Sequence, residues 1–502
     1  MRFRVADSYY IKIMIQNIKT SLYILFLMIA TSLFMTSCKK QNFLTEGGAI
    51  SYNVDTFLFD TVFTAQGSST RQLMIYNKEN QSIKISSLRL KDGSNSPFYF
   101  TVNGHQGPIV KDIEIAAKDS VWVFLGVEID PTNEDGPFIV NDELIATVNG
   151  NDFNLPINAF GQNAYYIVDS VLKTDTWLTD KPYVIINNAL IDENETLTIP
   201  AGCRVYVNGN SRLYVLGTLK VNGTLEQPVI FQGDRLDRKK YIGADYAVGG
   251  EWGGIYFFKQ SQNNVINYAQ INNAGASTRL GTSQALAAAI QLDEDSVKNG
   301  TPKLRLTNTI IKNAQGYGII AFNSSMYAEN NLVIECGSDN ICILEGGQYE
   351  INDCTLVSFG WDMNKHTDGA ALRAMNYRMI DQNNYVGAHL QLTVNNSIIY
   401  GSLKNELVAS KVDDFNAVMT INNSLLKYDD SVEPFVQQNN TILNENPLFK
   451  TIPAGKNYVD WDFQLTAESP VIGKGIQVGS LNTDLLGRTR NNPTSMGCYE
   501  FE

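Results

Sequence analysis

The sequence predicts an all-β protein: a β-sandwich, then a solenoid in which short strands stack turn upon turn, then a C-terminal cap. Three observations carry this. Residues 197–233 set apolar pairs (Val205 and Val207, Leu213 and Val215, Leu219 and Val221) between corners made of Asn208-Gly209-Asn210, Gly217 and Asn222-Gly223. Strands this short bury little as hairpins but a continuous core when stacked. Second, a phrase recurs: Asn308-Thr309-Ile310-Ile311, Asn331-Leu332-Val333-Ile334 and Cys354-Thr355-Leu356-Val357 follow one another at steps of 23 residues. It returns at Asn396-Ser397-Ile398-Ile399 and Asn423-Ser424-Leu425-Leu426, after intervals of 42 and 27, so an extra loop or a whole rung lies between Val357 and Leu390. Third, residues 51–165 have a different texture, with longer alternating runs separated by Asn103-Gly104 and Asn149-Gly150. Those dipeptides favour tight antiparallel turns.

In chain order the first element is a leader. Residues 22–35 form an apolar run of 14, preceded by Lys19 and closed by Met35-Thr36-Ser37-Cys38. The run is short for a bilayer span, and small residues before a cysteine mark a cleavage site. It resembles a bacterial lipoprotein signal, with Met35 where that class prefers leucine. The resemblance implies that residues 1–37 are removed and that Cys38 becomes the lipidated N-terminus, several acyl chains then holding the protein on a membrane. An ordinary secretory leader with a coincidental cysteine is the competing reading. Translation starts at Met1 or Met14. Lys39 and Lys40 in place of an aspartate imply, by the same resemblance, export to the outer membrane, on its periplasmic or surface face.

Residues 38–50 read as a tether and 51–165 as a sandwich, with apolar strands near 57–63, 73–76, 83–90, 98–102, 113–115, 121–127, 144–148 and 153–157. Through FDTVFT, AKDSVWVF and NAFGQNA the segment resembles immunoglobulin-like modules of bacterial surface lipoproteins, which implies a spacer or docking role. Lys118-Asp119-Ser120 reads as a turn before a strand.

Residues 166–450 are the predicted solenoid. LTIPAG, LYVLGTLKVNGT, QPVIF, EWGGIYF and INYAQINNAG resemble the right-handed parallel β-helix repeat proteins of the pectate-lyase-like class. That resemblance implies the fold and leaves the activity open, because the scaffold carries lyases, glycosidases and adhesins. The recurrent Asn308, Asn331, Asn396 and Asn423 suit a hydrogen-bonded corner ladder. Residues 451–502, with ESPVIGKG, LGRTR and MGCYEFE, look like the tail that folds back over the last rungs, and Gly487, Arg488 and Glu500 read as cap residues.

Composition narrows the partners. The chain has 502 residues and a formal charge of −13, and removing the leader, with Arg2, Arg4, Lys12 and Lys19 against Asp7, makes it more acidic still. Such a balance disfavours nucleic acid, whose phosphates need a concentrated basic surface. Beyond Cys38, the cysteines Cys203, Cys336, Cys342, Cys354 and Cys498 show no metal-ligand spacing and read as small apolar fillers of inward positions; an exported protein also permits a disulfide. No cofactor is called for. Calcium is one reading of Asp293-Glu294-Asp295, with Asp293 and Asp295 as ligands; a solvated loop is the other.

Chemistry on such a scaffold sits in loops that interrupt the rungs. Residues 234–250 carry basic side chains and Tyr241, 274–287 are small and polar, and 359–387 gather Trp361, Asp362, Lys365, His366, Asp368, Arg373, Tyr377 and Tyr385. The last loop is the strongest candidate. Asp362, Lys365, His366, Asp368 and Arg373 are its acid, base and cation candidates, while Trp361, Tyr377 and Tyr385, together with Tyr241 and Trp252, are candidate ligand platforms. A polar lid packed on Trp361 is the alternative. Glycosidases of this class carry Asp-Asp, Gly-His-Gly and Arg-Ile-Lys signatures, and this chain has neither Gly-His-Gly nor Arg-Ile-Lys. The sequence therefore predicts a lipid-anchored envelope protein whose solenoid is a binding or adhesive surface, for polysaccharide or another surface polymer. A polysaccharide lyase or glycosidase using residues 359–387, or a purely structural rod, are the alternatives.

Overall fold

A computed structural model describes residues 42–501 except 237–239, 242–243, 246–247, 281–282, 297–299, 362–363, 430–432 and 453–460. The predicted leader, Cys38 and Asp362 lie outside the described residues. The chain divides into two compact units, one formed by the residues up to Phe57 with Thr70–Gly126 and Asn141–Asn158, the other by Leu58–Ser69, Val127–Val140 and everything from Ala159.

The N-terminal region holds two five-stranded sheets. One has the order Ile50–Tyr52, Arg71–Asn77, Ser120–Val127, Phe98–Val102, His105–Gln106; the other Phe57–Phe63, Asn151–Gln162, Phe138–Val148, Ile83–Leu90, Ile109–Ile115. Burial alternates along them, with Leu73 and Ile75, Phe98 and Phe100, Ile83 and Ile85 turned inward, as a sheet with one buried face requires. Both predicted turns have two left-handed residues, Asn103-Gly104 at φ 49° and 79° and Asn149-Gly150 at 47° and 85°. That is the geometry Asn-Gly supplies at least strain. Lys118 (φ 61°) turns the chain just before the strand that opens at Ser120.

Between Tyr165 and Leu443, 26 strands form one sheet whose pairings are parallel, consistent with a β-helix, and small antiparallel hairpins stand apart from it. A strand pairs with the one a full turn later, as Thr196–Pro200 does with Thr218–Asn222 and Arg204–Val207 with Val229–Gly233. On one face, the long one, Ile199, Val221, Ile266, Leu306, Ala328, Ile351, Val394 and Ile421 stack in register and are all buried. Each larger aliphatic in the column adds roughly 1.5–3 kcal/mol of burial. Glycine pairs allow the sharp bends between faces: Gly346 and Gly347 have φ of 81° and 113°, and a Cβ on Gly347 would lie 2.2 Å from the Ser324 carbonyl.

The register corrects the sequence alignment by one residue. Ile310 pairs with Leu332 and Ile320 with Cys342, so the first step is 22 residues, not 23. The left-handed corner residues are Asn308, Asn330, Asp353, Asn396, Asn423 and Asn440, with φ between 44° and 63°. Asn331 sits one position past the corner, where its amide donates to the Leu306 carbonyl and its Oδ1 accepts the Thr309 N–H. Beside the corner runs an amide ladder: Asn439 donates to Asn422, Asn422 to Asn395 and Asn395 to Asn352, each at 2.8 Å. The long interval after Val357 is an extra loop rather than a rung, because Leu372–Met375 and Leu390–Asn395 both pair with the single strand Ile341–Asn352.

The C-terminal tail lies along the side of the solenoid. Phe463, Leu465, Val471, Leu485, Met496 and Cys498 cover the outward Leu332, Ile334, Val357, Ile398 and Leu425 of a second face, which is thus buried on both sides. The tail also meets the corner residues in turn. Asn423 donates to the Lys474 carbonyl, Asn396 accepts from Ile476 N–H, and Glu329 accepts from Ser480 and Leu481 N–H. Arg490 then donates to Asn330 at 2.7 Å. Gly487 and Arg488 belong to this tail, Arg488 pairing with buried Asp484 at 2.6 Å, and Glu500 accepts Thr494 Oγ1 at 2.9 Å. The five cysteines are free and buried, and burial pushes the thiols of Cys203 and Cys354 up to about 12.

Candidate functional site

In the 359–387 loop most of the described candidate side chains are packed or paired. Trp361 is 6% exposed; its indole N–H donates to Asn313 Oδ1 at 3.3 Å and its ring meets Trp461 edge-on. His366 is buried with its Nε2 donating to Glu406 Oε2 at 3.0 Å, and Glu406 also accepts the N–H of Ala371 and Leu403. Arg373 grips Asp339 through Nε (2.7 Å) and Nη2 (3.2 Å). These contacts lock the loop down and commit Trp361, His366 and Arg373 to partners within the fold. Lys365 and Asp368 are exposed. Tyr377 and Tyr385 pack edge to face on a small hairpin, their hydroxyls meeting Ser410 and Asp414. Glu335 lies beneath the loop, accepting the Phe359 and Gly360 N–H groups at 2.9 Å, and burial raises its carboxyl to about 7.

The other platforms and the calcium candidates also find structural partners. Trp252 is fully buried, its indole N–H donating to the Asn272 carbonyl, so it is core and not a ligand platform. The Tyr241 side chain lies outside what the structure describes. Between Asp293 and Asp295 the position of a cation is taken by an ammonium group. Lys303, almost wholly enclosed, donates to the carbonyls of Asp293 and Glu294 at 2.7 Å and of Phe258 at 3.1 Å, and lies 3.5 Å from the Asp295 carboxylate. Asp293 accepts the Tyr256 hydroxyl at 2.7 Å, and burial raises its carboxyl. A divalent ion would have to displace the lysine.

A groove of about 910 Å3 lies on the long face of the solenoid. Its floor is made of outward side chains from four successive rungs. Ser325, Gln348, Gln391 and Val418 form one column, and Tyr327, Glu350 and Thr393 a second. Stacked strands lie ~4.8 Å apart, so the floor runs roughly 14 Å. The side-chain amides of Gln348 and Gln391 are exposed and make no hydrogen bond with described residues. His389 and Asn416 border the groove; the Asn416 N–H donates to His389 Nδ1 at 2.9 Å. Sequence reasoning missed these residues because it looked to loops. The signal was the alternation Ser325-Met326-Tyr327, Gln348-Tyr349-Glu350, Gln391-Leu392-Thr393, whose first two members stand 23 residues apart.

Neither a family model nor a curated protein matches the chain. Among solved structures it is similar to a family 123 glycoside hydrolase from Clostridium perfringens, at 9% identity over 23% of this chain and 26% of that one, TM-score 0.16. It is also similar to a PapD-like domain of human CEP192 (11%, covering 25% and 91%, TM-score 0.16) and to the Vibrio cholerae VesB protease (14%, covering 22% and 31%, TM-score 0.15). The chain spans about a quarter of the hydrolase's length. Likenesses this slight carry no argument about function.

Proposed function

We propose that this chain is a lipid-anchored outer-membrane protein in which an immunoglobulin-like spacer presents a right-handed parallel β-helix of the pectate-lyase-like class. Its β-helix binds an extended surface polymer, a polysaccharide foremost, along the groove of the long face. The observation that carries the reading is the groove floor, where unpartnered amides of Gln348 and Gln391 stand in register one rung apart. Repeated polar groups at a fixed interval suit a polymer of repeating hydroxyls. An extended peptide is served less well, since the floor strands are paired on both sides and offer no free backbone edge. The packed 359–387 loop favours binding without cleavage. The anchor rests on the 22–38 segment.

The test is incubation of the mature protein with a panel of polysaccharides, following both retention and new chain ends. Retention without new ends, lost in a Gln348→Ala/Gln391→Ala double variant that melts like the parent, is expected. Release of new chain ends would overturn the binding reading. In cell fractions, Cys38→Ala should move the protein out of the membrane pellet; its staying there would remove the lipid anchor.

A further inference from the structure

We propose that the groove selects a neutral, hydroxyl-rich glycan and rejects polymers bearing ionised acid groups, an inference that rests on the groove being the binding site. The carboxylates and imidazole lining it are those of Asp295, Glu350 and His389, and no lysine or arginine lines it among the described residues. Lys303, which lies beside the lining residue Asp295, is enclosed by backbone carbonyls and that carboxylate and has nothing left for a ligand. Arg305, one rung before the groove, lies over the Tyr327 ring at 4.2 Å, donates to Ser480 at 2.6 Å and lies 3.8 Å from the Glu329 carboxylate, which offsets its charge. Asp295 is likewise committed: it accepts the hydroxyls of Ser324 and Ser325.

Glu350 is what remains. It is exposed, one carboxylate oxygen accepts the Asn352 amide at 2.8 Å, and the other has no partner among the described residues. An ionised carboxylate only accepts, so a ligand opposite it must donate, as a sugar hydroxyl does. A uronate or sulfate there would meet like charge with no cation among the described lining residues to offset it. His389 completes the pattern. Because Nδ1 accepts the Asn416 N–H, the neutral ring carries its hydrogen on Nε2 and presents a donor. Gln348 and Gln391 each supply one donor group and one acceptor, Thr393 a hydroxyl, and Val418, 48% exposed, an apolar step for the C–H face of a ring. The floor thus matches groups that both donate and accept.

The experiment compares retention of the mature protein on a neutral glucan or galactomannan with retention on polygalacturonate and alginate, at low and moderate salt. The expected result is retention on a neutral glycan that salt does not weaken, and none on the uronates. Glu350→Gln, at an exposed site that leaves the melting temperature unchanged, should weaken neutral-glycan binding about tenfold, the scale of one charge-assisted hydrogen bond. Glu350→Lys should gain uronate binding that salt abolishes. Tighter wild-type binding to a uronate, lost in Gln348→Ala/Gln391→Ala, would overturn the selectivity and keep the groove as the site. Neutral-glycan binding indifferent to Glu350→Gln would overturn the selectivity as well. No binding to any polymer would overturn both.

Discussion

Glu335 occupies a left-handed corner (φ 52°) in line with Asn273 and Asn313, so a carboxylic acid stands where its neighbours carry neutral amides. Burial raises its carboxyl from 4.5 to about 7, with His366 and Glu406 the charged groups that face it. A carboxyl raised in the folded state gives stability that is complete below the unfolded value and lost as pH climbs through the folded one. Stability should therefore fall between about pH 4.5 and 7, by up to about 3 kcal/mol from this group. Urea midpoints across that range check it: Glu335→Gln should flatten the decline, and an unchanged slope would assign it to other groups. His366 was visible in the sequence as one of few histidines, but its role was not. Whether an imidazole faces a cleft or a buried carboxylate depends on Glu406, 40 residues away.

Single strands and their ladders are where the sequence was most legible. Alternating apolar residues, Asn-Gly corners and the recurring phrase gave the coil, because periodicity and turn chemistry are local properties. Register was legible only to within one residue, since neighbouring asparagines at 330 and 331 compete for the same alignment and only cross-strand bonding chooses between them. On the groove face a bulge after Phe322 restores the 23-residue step, from Ser325 to Gln348, and a slip of one residue there would turn each outward side chain inward. The amide ladder permits a graded test. Asn395→Ala removes bonds to both Asn352 and Asn422 at a buried position and should lower unfolding free energy by about 1–2 kcal/mol. Asn439→Ala, at the exposed end with one ladder bond, should change it little. Equal effects in chemical denaturation would mean that the ladder is not cooperative.

Across the whole chain the least legible element was the tail, predicted as a cap on the last rungs and found along the side of the solenoid. Nothing local announces this, because the apolar runs at 332–334, 355–358 and 398–400 signal burial on both faces without naming what covers them. Gly479 shows how closely the tail approaches: a Cβ there would lie 2.1 Å from Glu329 Oε1. Gly479→Val should lower the melting temperature by several degrees and speed proteolysis of the tail, whereas an unchanged melting curve would show that the tail contributes little. The same arrangement divides folding into two regimes. Bonds between turns join residues some twenty to forty positions apart and can form as each turn leaves the ribosome, while Ser480 must find Glu329 across 151 residues and Arg490 must find Asn330 across 160. Slow, long-range closure of this kind comes after local winding. Until synthesis reaches its last few dozen residues the growing coil carries a bare hydrophobic flank, and that interval is when the protein is most open to aggregation and has most need of a chaperone.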